Sequence, residues 1–296
     1  MNFIGEIAAL VTAVCWAFTS IIFTEQSRKV GAVTVNLGRL FFAGMYLLIT
    51  VLVFNLDLNL QSAQYFYLIA SGFFGLVFGD SFLYIAYKRI GPRLGMLMLS
   101  LAPVITSLIS FAFLGEIISP IGMLGIFLTV SGVAFVVLQK KKSELNKKGV
   151  DKIGILFGLF AAIGQGIGLV FTKAAFAGSE LNSFVAGFIR VFVGFLFLWP
   201  MRHILRDYLP VKEVIAKHKK SFLIISIGAI IGPFLGITLS IFAISQTKVG
   251  IASAIMATVP IILLPMVKVY YKENLGWKAI IGAFVAVIGV SILFLR

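Results

Sequence analysis

An all-α integral membrane fold, with ten transmembrane helices in two five-helix inverted repeats, is predicted by three observations. The 296-residue chain is 60% hydrophobic and 12% charged, and its mean hydropathy is +1.08. A soluble domain of that composition lacks the polar groups to cover its surface. The apolar residues fall into ten runs, each near the roughly 20 residues that a helix needs to cross the hydrocarbon. Residues 72–133 align without a gap on residues 229–290, at a shift of 157. Gly75 then matches Gly232, Gly79 matches Gly236, Ala86 matches Ala243, Pro103 matches Pro260, and Gly125 and Gly132 match Gly282 and Gly289.

The runs are 4–24, 33–54, 65–87, 94–114, 121–138, 153–172, 183–201, 221–243, 250–270 and 277–295. They are expected to be helical because lipid offers no partner for free backbone groups. Barrel strands are excluded, since no segment alternates polar and apolar residues over a strand's length. No basic stretch precedes the first run, so it reads as a retained span and not a cleavable signal. The second run carries Arg39, the third Asp80 and Tyr84, and the fourth is centred on Pro103. The fifth ends the first repeat, residues 1–139, and residues 140–152 form a basic connecting loop. The second repeat, 153–296, begins with the run that carries Gln165, followed by the run that opens on Arg190. Between the seventh and eighth runs, Arg202–Lys220 contains His203 and His218 and reads as a solvated loop or a short surface helix. The ninth run contains Pro260, the counterpart of Pro103. Five spans per half is an odd number. The second copy therefore enters the bilayer from the opposite face, which makes the repeats inverted.

The formal net charge is +14, yet the basic residues sit in short loops between apolar runs. Their partners are then membrane lipid headgroups, and no nucleic-acid module is present. Twenty Lys and Arg lie in or beside the odd-numbered loops, against three in the even loops and at the C-terminus. The positive-inside rule places the odd loops in the cytoplasm and both termini outside the cell membrane. One cysteine, Cys15, and two histidines leave little material for a metal site or Cys–His catalysis. No Gly-rich loop ending in Lys-Ser or Lys-Thr is present, so ATP hydrolysis is not expected and no cofactor is implied.

The candidate functional residues are polar groups inside apolar runs. Asp80 is the acid well inside a span, where a charge costs at least about 2.5 kcal/mol. Its repeat counterpart is Ile237, so the fold itself does not require it. Arg39 lies about as far into the second span as Asp80 lies from the end of the third, so the two can pair. Asp80 is then half of a structural ion pair or a group that binds protons or a substrate amine. Arg39 and Arg190 are repeat counterparts. Each either snorkels to headgroups or binds a substrate carboxylate or phosphate. Trp16 is too deep for the interfacial aromatic belt that suits Trp199 and Trp277; it lines a cavity or packs on a neighbour. Gln165 at similar depth needs a partner from protein, water or substrate. Tyr84 shares the face of Asp80 one turn on. Ser100, Thr106, Ser107 and Ser110 flank Pro103, and their default is to bond their own backbone. Pro103 and Pro260 each remove a donor and free the carbonyl of Leu99 or Met256, marking a bend or a gate. The pairs Gly75/Gly79, Gly232/Gly236 and Gly164/Gly168 are small-xxx-small motifs for close helix packing.

These residues resemble a known pattern. Cys15-Trp16-Ala17-Phe18-Thr19-Ser20, Arg39-Leu40-Phe41-Phe42-Ala43-Gly44, Leu101-Ala102-Pro103-Val104, Leu114-Gly115-Glu116 and Gly125 are similar to the EamA type of the drug/metabolite transporter superfamily. Lys173, Arg190, Pro260, Glu273 and Gly282 repeat that order in the second half. Gln165 stands where the pattern has tryptophan, and Tyr271-Lys272-Glu273 replaces the Gly-Glu. The resemblance implies a secondary transporter that exports a small organic solute, an amino acid or related metabolite, by alternating access, with protons as a candidate coupling ion. Trp16, Asp80, Tyr84, Ser100 and Gln165 are then expected along the path, with Arg39 as partner of Asp80. The competing classes are an intramembrane lipid-modifying enzyme, for which no interfacial cluster of catalytic groups is present, and a non-transporting receptor or subunit.

Overall fold

The computed structural model describes residues 3–114, 119–143, 151–176, 181–205, 207–246, 252, 255–272 and 276–294. Among them every regular element is a helix. They are α1 Ile4–Val30, α2 Ala32–Val53, α3 Ser62–Leu99, α4 Ala102–Leu114, α5 Pro120–Ser143, α6 Lys152–Ala175, α7 Ser183–Leu205, α8 Val211–Lys217, α9 Lys219–Gln246, α10 Val259–Tyr271 and α11 Trp277–Phe294. Six of these, α1, α2, α3, α6, α7 and α9, are long and apolar enough to cross a membrane; the apolar stretches of α5, α10 and α11 are shorter. Leu10, Phe18, Phe41, Ile49, Leu196 and Ile281 are exposed on the outside. An apolar exterior of this kind belongs in lipid. The protein is a multi-pass membrane protein.

Two helices run past their expected ends. α1 continues to Val30, leaving Gly31 alone to turn into α2. Gly31 has φ +90°, and a Cβ there would lie 2.6 Å from the carbonyl oxygen of Asp207, so conformation and space both demand glycine. The third run joins the fourth through a kink at Gly91, φ +80°. The stretch between the seventh and eighth runs contains the short helix α8.

Two departures from α-helical geometry recur at related places. α3 is π-helical over Gly72–Gly79 and α9 over Ile230–Gly236. The chain then breaks at residues 100–101 and again at 257–258. Pro103 and Pro260 are the second residues of α4 and α10. From the sequence both prolines mark a bend or a gate. Each stands in the first turn after a break, where a missing N–H leaves no intrahelical bond unmade.

Glycines set the closest helix approaches. Gly75 and Gly79 of α3 face Gly168 and Gly164 of α6, and a Cβ on Gly164 would lie 2.7 Å from the Gly79 Cα. Gly232 and Gly236 of α9 make room for Thr19 and Trp16 of α1. α5 and α11 pack mainly on each other, with Gly132 against Gly282 and Gly289 against Gly125. In lipid, where apolar burial between helices gains little, such van der Waals contact drives association.

Polar groups gather at one end of the molecule. Asp207, after α7, accepts from the Ala32 amide at 2.9 Å through Oδ2, from the Val33 amide at 3.1 Å through its carbonyl, and from Lys88 Nζ at 2.8 Å through Oδ1. Arg89 donates to Asp151 Oδ2 at 2.7 Å, while Asp151 Oδ1 caps α6 at the Gly154 amide. Tyr271, closing α10, donates to Glu25 of α1 at 2.8 Å. The junctions after the first, third, fifth, seventh and ninth apolar runs therefore meet at the same end.

Candidate functional site

The site begins with the π-helical stretch of α3. A π turn bonds five residues back, so Asp80 donates its amide to the Gly75 carbonyl. The added residue re-aims the helix face, and Asp80 meets Arg39 of α2. Both are buried, at 6% and 4% exposure. Arg39 Nη2 donates to Asp80 Oδ2 in a short ion pair. Arg39 Nε donates to Asn36 Oδ1 at 2.9 Å, and Asn36 Nδ2 in turn donates to the Leu76 carbonyl at 3.0 Å and to Ser81 Oγ at 2.9 Å. The Arg39 guanidinium lies over the Tyr84 ring, 5.0 Å from its centre. From the other half, Gln165 Nε2 donates to Asp80 Oδ1 at 2.5 Å and to the Gly75 carbonyl at 3.1 Å. The close glycine contact between α3 and α6 brings that amide within reach.

Arg190 of α7 is the second buried guanidinium, at 7% exposure. Its carbonyl and Cα pack on Gly72, and its Nη2 lies beside Gly75. Its Nε has no hydrogen-bond partner among the described residues. The acid that shares its cavity is Asp80, which is already held by Arg39 and Gln165.

These groups face a cavity of about 170 Å³. Eight of the residues singled out from the sequence line it, Trp16, Arg39, Asp80, Tyr84, Ser100, Pro103, Gln165 and Pro260, whereas Thr106 and Ser107 do not. Arg190 lines it too, with Thr19, Ser20 and Ser240. Eight helices contribute walls, from α1 to α4 and from α6, α7, α9 and α10; among the described residues α5, α8 and α11 do not. Trp16 reaches the cavity across Gly236, where a Cβ would lie 2.7 Å from its Nε1. The sequence profile of the EamA-like transporter family matches residues 3–138 and again residues 152–295.

The chain belongs to the EamA-like transporter family. It is a membrane transporter. An uncharacterized transporter of Archaeoglobus fulgidus is 22% identical over 289 residues, spanning 97% of this chain and 96% of that protein. A crystal structure that is 18% identical covers 99% of this chain and 96% of its own, with a TM-score of 0.65, a likeness of fold.

In this EamA-family transporter the hydroxyls near Pro103 behave as backbone binders. Thr106 donates to the Ala102 carbonyl at 2.9 Å, Ser107 to that of Pro103 at 3.1 Å, and Ser100 to that of Leu97 at 2.6 Å. Ser100 lines the cavity, but its proton is directed to its own helix. The side chain of Ser110 and the motif residues Glu116 and Glu273 lie outside the described residues. Asn36 escaped the sequence reading. Its position three residues before Arg39, on the same helix face, is the signal that would have found it. Among the described residues no cluster of His, Cys, Asp or Glu could hold a metal ion.

Proposed function

We propose that this transporter is a secondary carrier of ten spans, built as two inverted five-helix repeats, 1–139 and 153–296, about the basic joint 140–152. It moves a small organic solute, an amino acid or related metabolite, out across the cell membrane by alternating access. Its odd-numbered loops are cytoplasmic and its termini outside. The observation that carries this reading is the cavity of about 170 Å³ holding three buried charges, Arg39, Asp80 and Arg190. A dry cavity of about 150 Å³ accepts a benzene-sized molecule, so the volume suits a small organic solute rather than a lipid chain. Support for two repeats comes from the recurring π-helical stretches, the recurring helix breaks before Pro103 and Pro260, and the twice-matched family profile. The gathering of alternate junctions at one end supports ten crossings.

Asp80 is the candidate proton-coupling group. The test is flux through the purified full-length protein in liposomes, with a panel of amino acids and organic acids and an imposed pH gradient. The wild type is expected to accumulate at least one solute, and Asp80→Asn to lose the gradient-driven part. Gradient-driven uptake that is unchanged in Asp80→Asn would remove Asp80 as the coupling group. No flux of any solute under any gradient would remove the carrier reading.

A further inference from the structure

We propose that Arg190 is the docking group for a carboxylate on the transported solute, so that the cavity takes organic monocarboxylates in preference to amines and neutral molecules. The proposal rests on reading the cavity as the solute site.

The charged residues lining the cavity are Arg39, Asp80 and Arg190. Asp80 does not serve both arginines equally: Oδ2 accepts from Arg39 and Oδ1 from Gln165, and among the described residues neither accepts from Arg190. One positive charge is left over, on a guanidinium that stays protonated. Buried at 7% exposure with an unbonded Nε, Arg190 is in a costly condition unless an anion joins it.

The neighbouring sequence keeps it in that condition. Three residues before Arg39 stands Asn36, which accepts its Nε proton. Three residues before Arg190 stands Gly187, which has no side chain to offer. Room is not the reason, for a Cβ on Gly187 would meet only Thr238 Oγ1 at 3.7 Å and Leu47 at 3.8 Å. The counterpart of Asp80 is Ile237, which lines the cavity as well. Both groups that quench Arg39 are missing around Arg190.

The ligand chemistry follows from the donor. A guanidinium presents parallel N–H groups that match a carboxylate with two bonds. One carboxylate neutralises the surplus charge, whereas a phosphate monoester at about −1.5 to −2 overshoots it. An amine meets net positive charge and finds both Asp80 oxygens engaged. Leu76, Met256 and Trp16 in the wall suit an apolar solute body.

The experiment is thermal unfolding of the full-length protein in nanodiscs of uncharged phosphatidylcholine. The probes are benzoate and hexanoate, their amides, the matching amines, and inorganic phosphate. Carboxylates are expected to raise Tm in a concentration-dependent way, with amides and amines ineffective. Arg190→Gln is expected to weaken the carboxylate response about 10–100-fold, the worth of a charged hydrogen-bonded contact. Without solute its Tm should equal or exceed that of the wild type, because an unpaired charge has been removed. Arg190→Gln with a much lower solute-free Tm would overturn the proposal by showing a structural arginine. A response to phosphate alone, or to amines or amides as strong as to carboxylates, would overturn it while leaving the cavity as a solute site. Silence from every probe, joined to absence of flux in liposomes, would bring down the solute-site reading itself.

Discussion

Arg39 and Arg190 occupy the same place in the two halves, yet their surroundings differ at every contact. Arg39 has a carboxylate, an amide oxygen and an aromatic face, from Asp80, Asn36 and Tyr84. Arg190 has packing on glycine and an Nε with no hydrogen-bond partner among the described residues. Each half carries a buried cation, and only the first carries side chains that satisfy it. A cation with its own counter-ion holds helices together. A cation without one is available to something that arrives and leaves. The asymmetry therefore separates a structural half of the site from a binding half, and Gln165 joins them by reaching from the second half to Asp80.

The comparison breaks most severely at Asp80. Asp80→Asn leaves Arg39 without its charged partner and makes the first half resemble the second. Removing one member of a buried pair typically costs about 3–5 kcal/mol, and a loss of that size is expected in denaturant unfolding of the purified protein. Adding Arg39→Leu should recover most of it, since two apolar groups replace two charges. An Asp80→Asn protein as stable as the wild type would mean that Arg39 does not depend on its acid.

The reverse change makes the second half resemble the first. Gly187→Asn places an amide three residues before Arg190, in the register that Asn36 has with Arg39. The Cβ has space. A gain of about 1–2 kcal/mol in unfolding free energy is expected from a hydrogen bond to a charged group and from the replacement of a helical glycine. The same variant should respond less to carboxylates, because Nε is then occupied. Stability lowered by Gly187→Asn would show that the two arginines do not share a geometry.

The sequence carried the one-dimensional parts of this architecture. Ten apolar runs and a shift of 157 residues are properties of the string; every regular element among the described residues is a helix, but the fourth and ninth runs are interrupted at 100–101 and 257–258. The candidate site was legible because a polar group inside an apolar run has few reasons to be there, and Asp80, Arg39 and Gln165 stood out on that ground alone. The pairing of Arg39 with Asp80 followed from equal depth on antiparallel spans. What the string did not carry is angular. The contact of Gln165 with Asp80 spans 85 residues and depends on a π-helical stretch that no residue type announces. The breaks at 100–101 and 257–258 appeared only as prolines, which suggested a bend because a span was assumed to be continuous. Asp207 seemed an ordinary loop residue; its role at the start of α2 requires the fold of the whole end of the molecule.

The smallest effect calibrates the buried pairs against a guanidinium–carboxylate pair in water. Arg89 and Asp151 meet where α3 turns into its kink and α6 begins, with side chains 39% and 32% exposed. Slight burial pushes the Asp151 carboxyl up, but the bond from Arg89, the Gly154 amide and the Arg89 charge outweigh it, so the group titrates below its ordinary range. A carboxyl whose native pKa is depressed contributes stability above its unfolded pKa and loses it as pH falls through the native value. Asp151→Asn keeps a capping oxygen for Gly154 and removes only the charge. The expected loss at pH 7 is about 0.2–1 kcal/mol, the range of exposed pairs. It should begin to shrink as the pH falls below the ordinary carboxylate range near about 4, and vanish only below the lowered native value, where the wild-type carboxyl takes up its proton. Thermal unfolding of both proteins at pH 7 and pH 3 measures this directly. A loss at pH 7 as large as that of Asp80→Asn would mean that the end of the molecule excludes water as well as its centre does, and burial would no longer explain why the Arg39 pair matters more than the Arg89 pair.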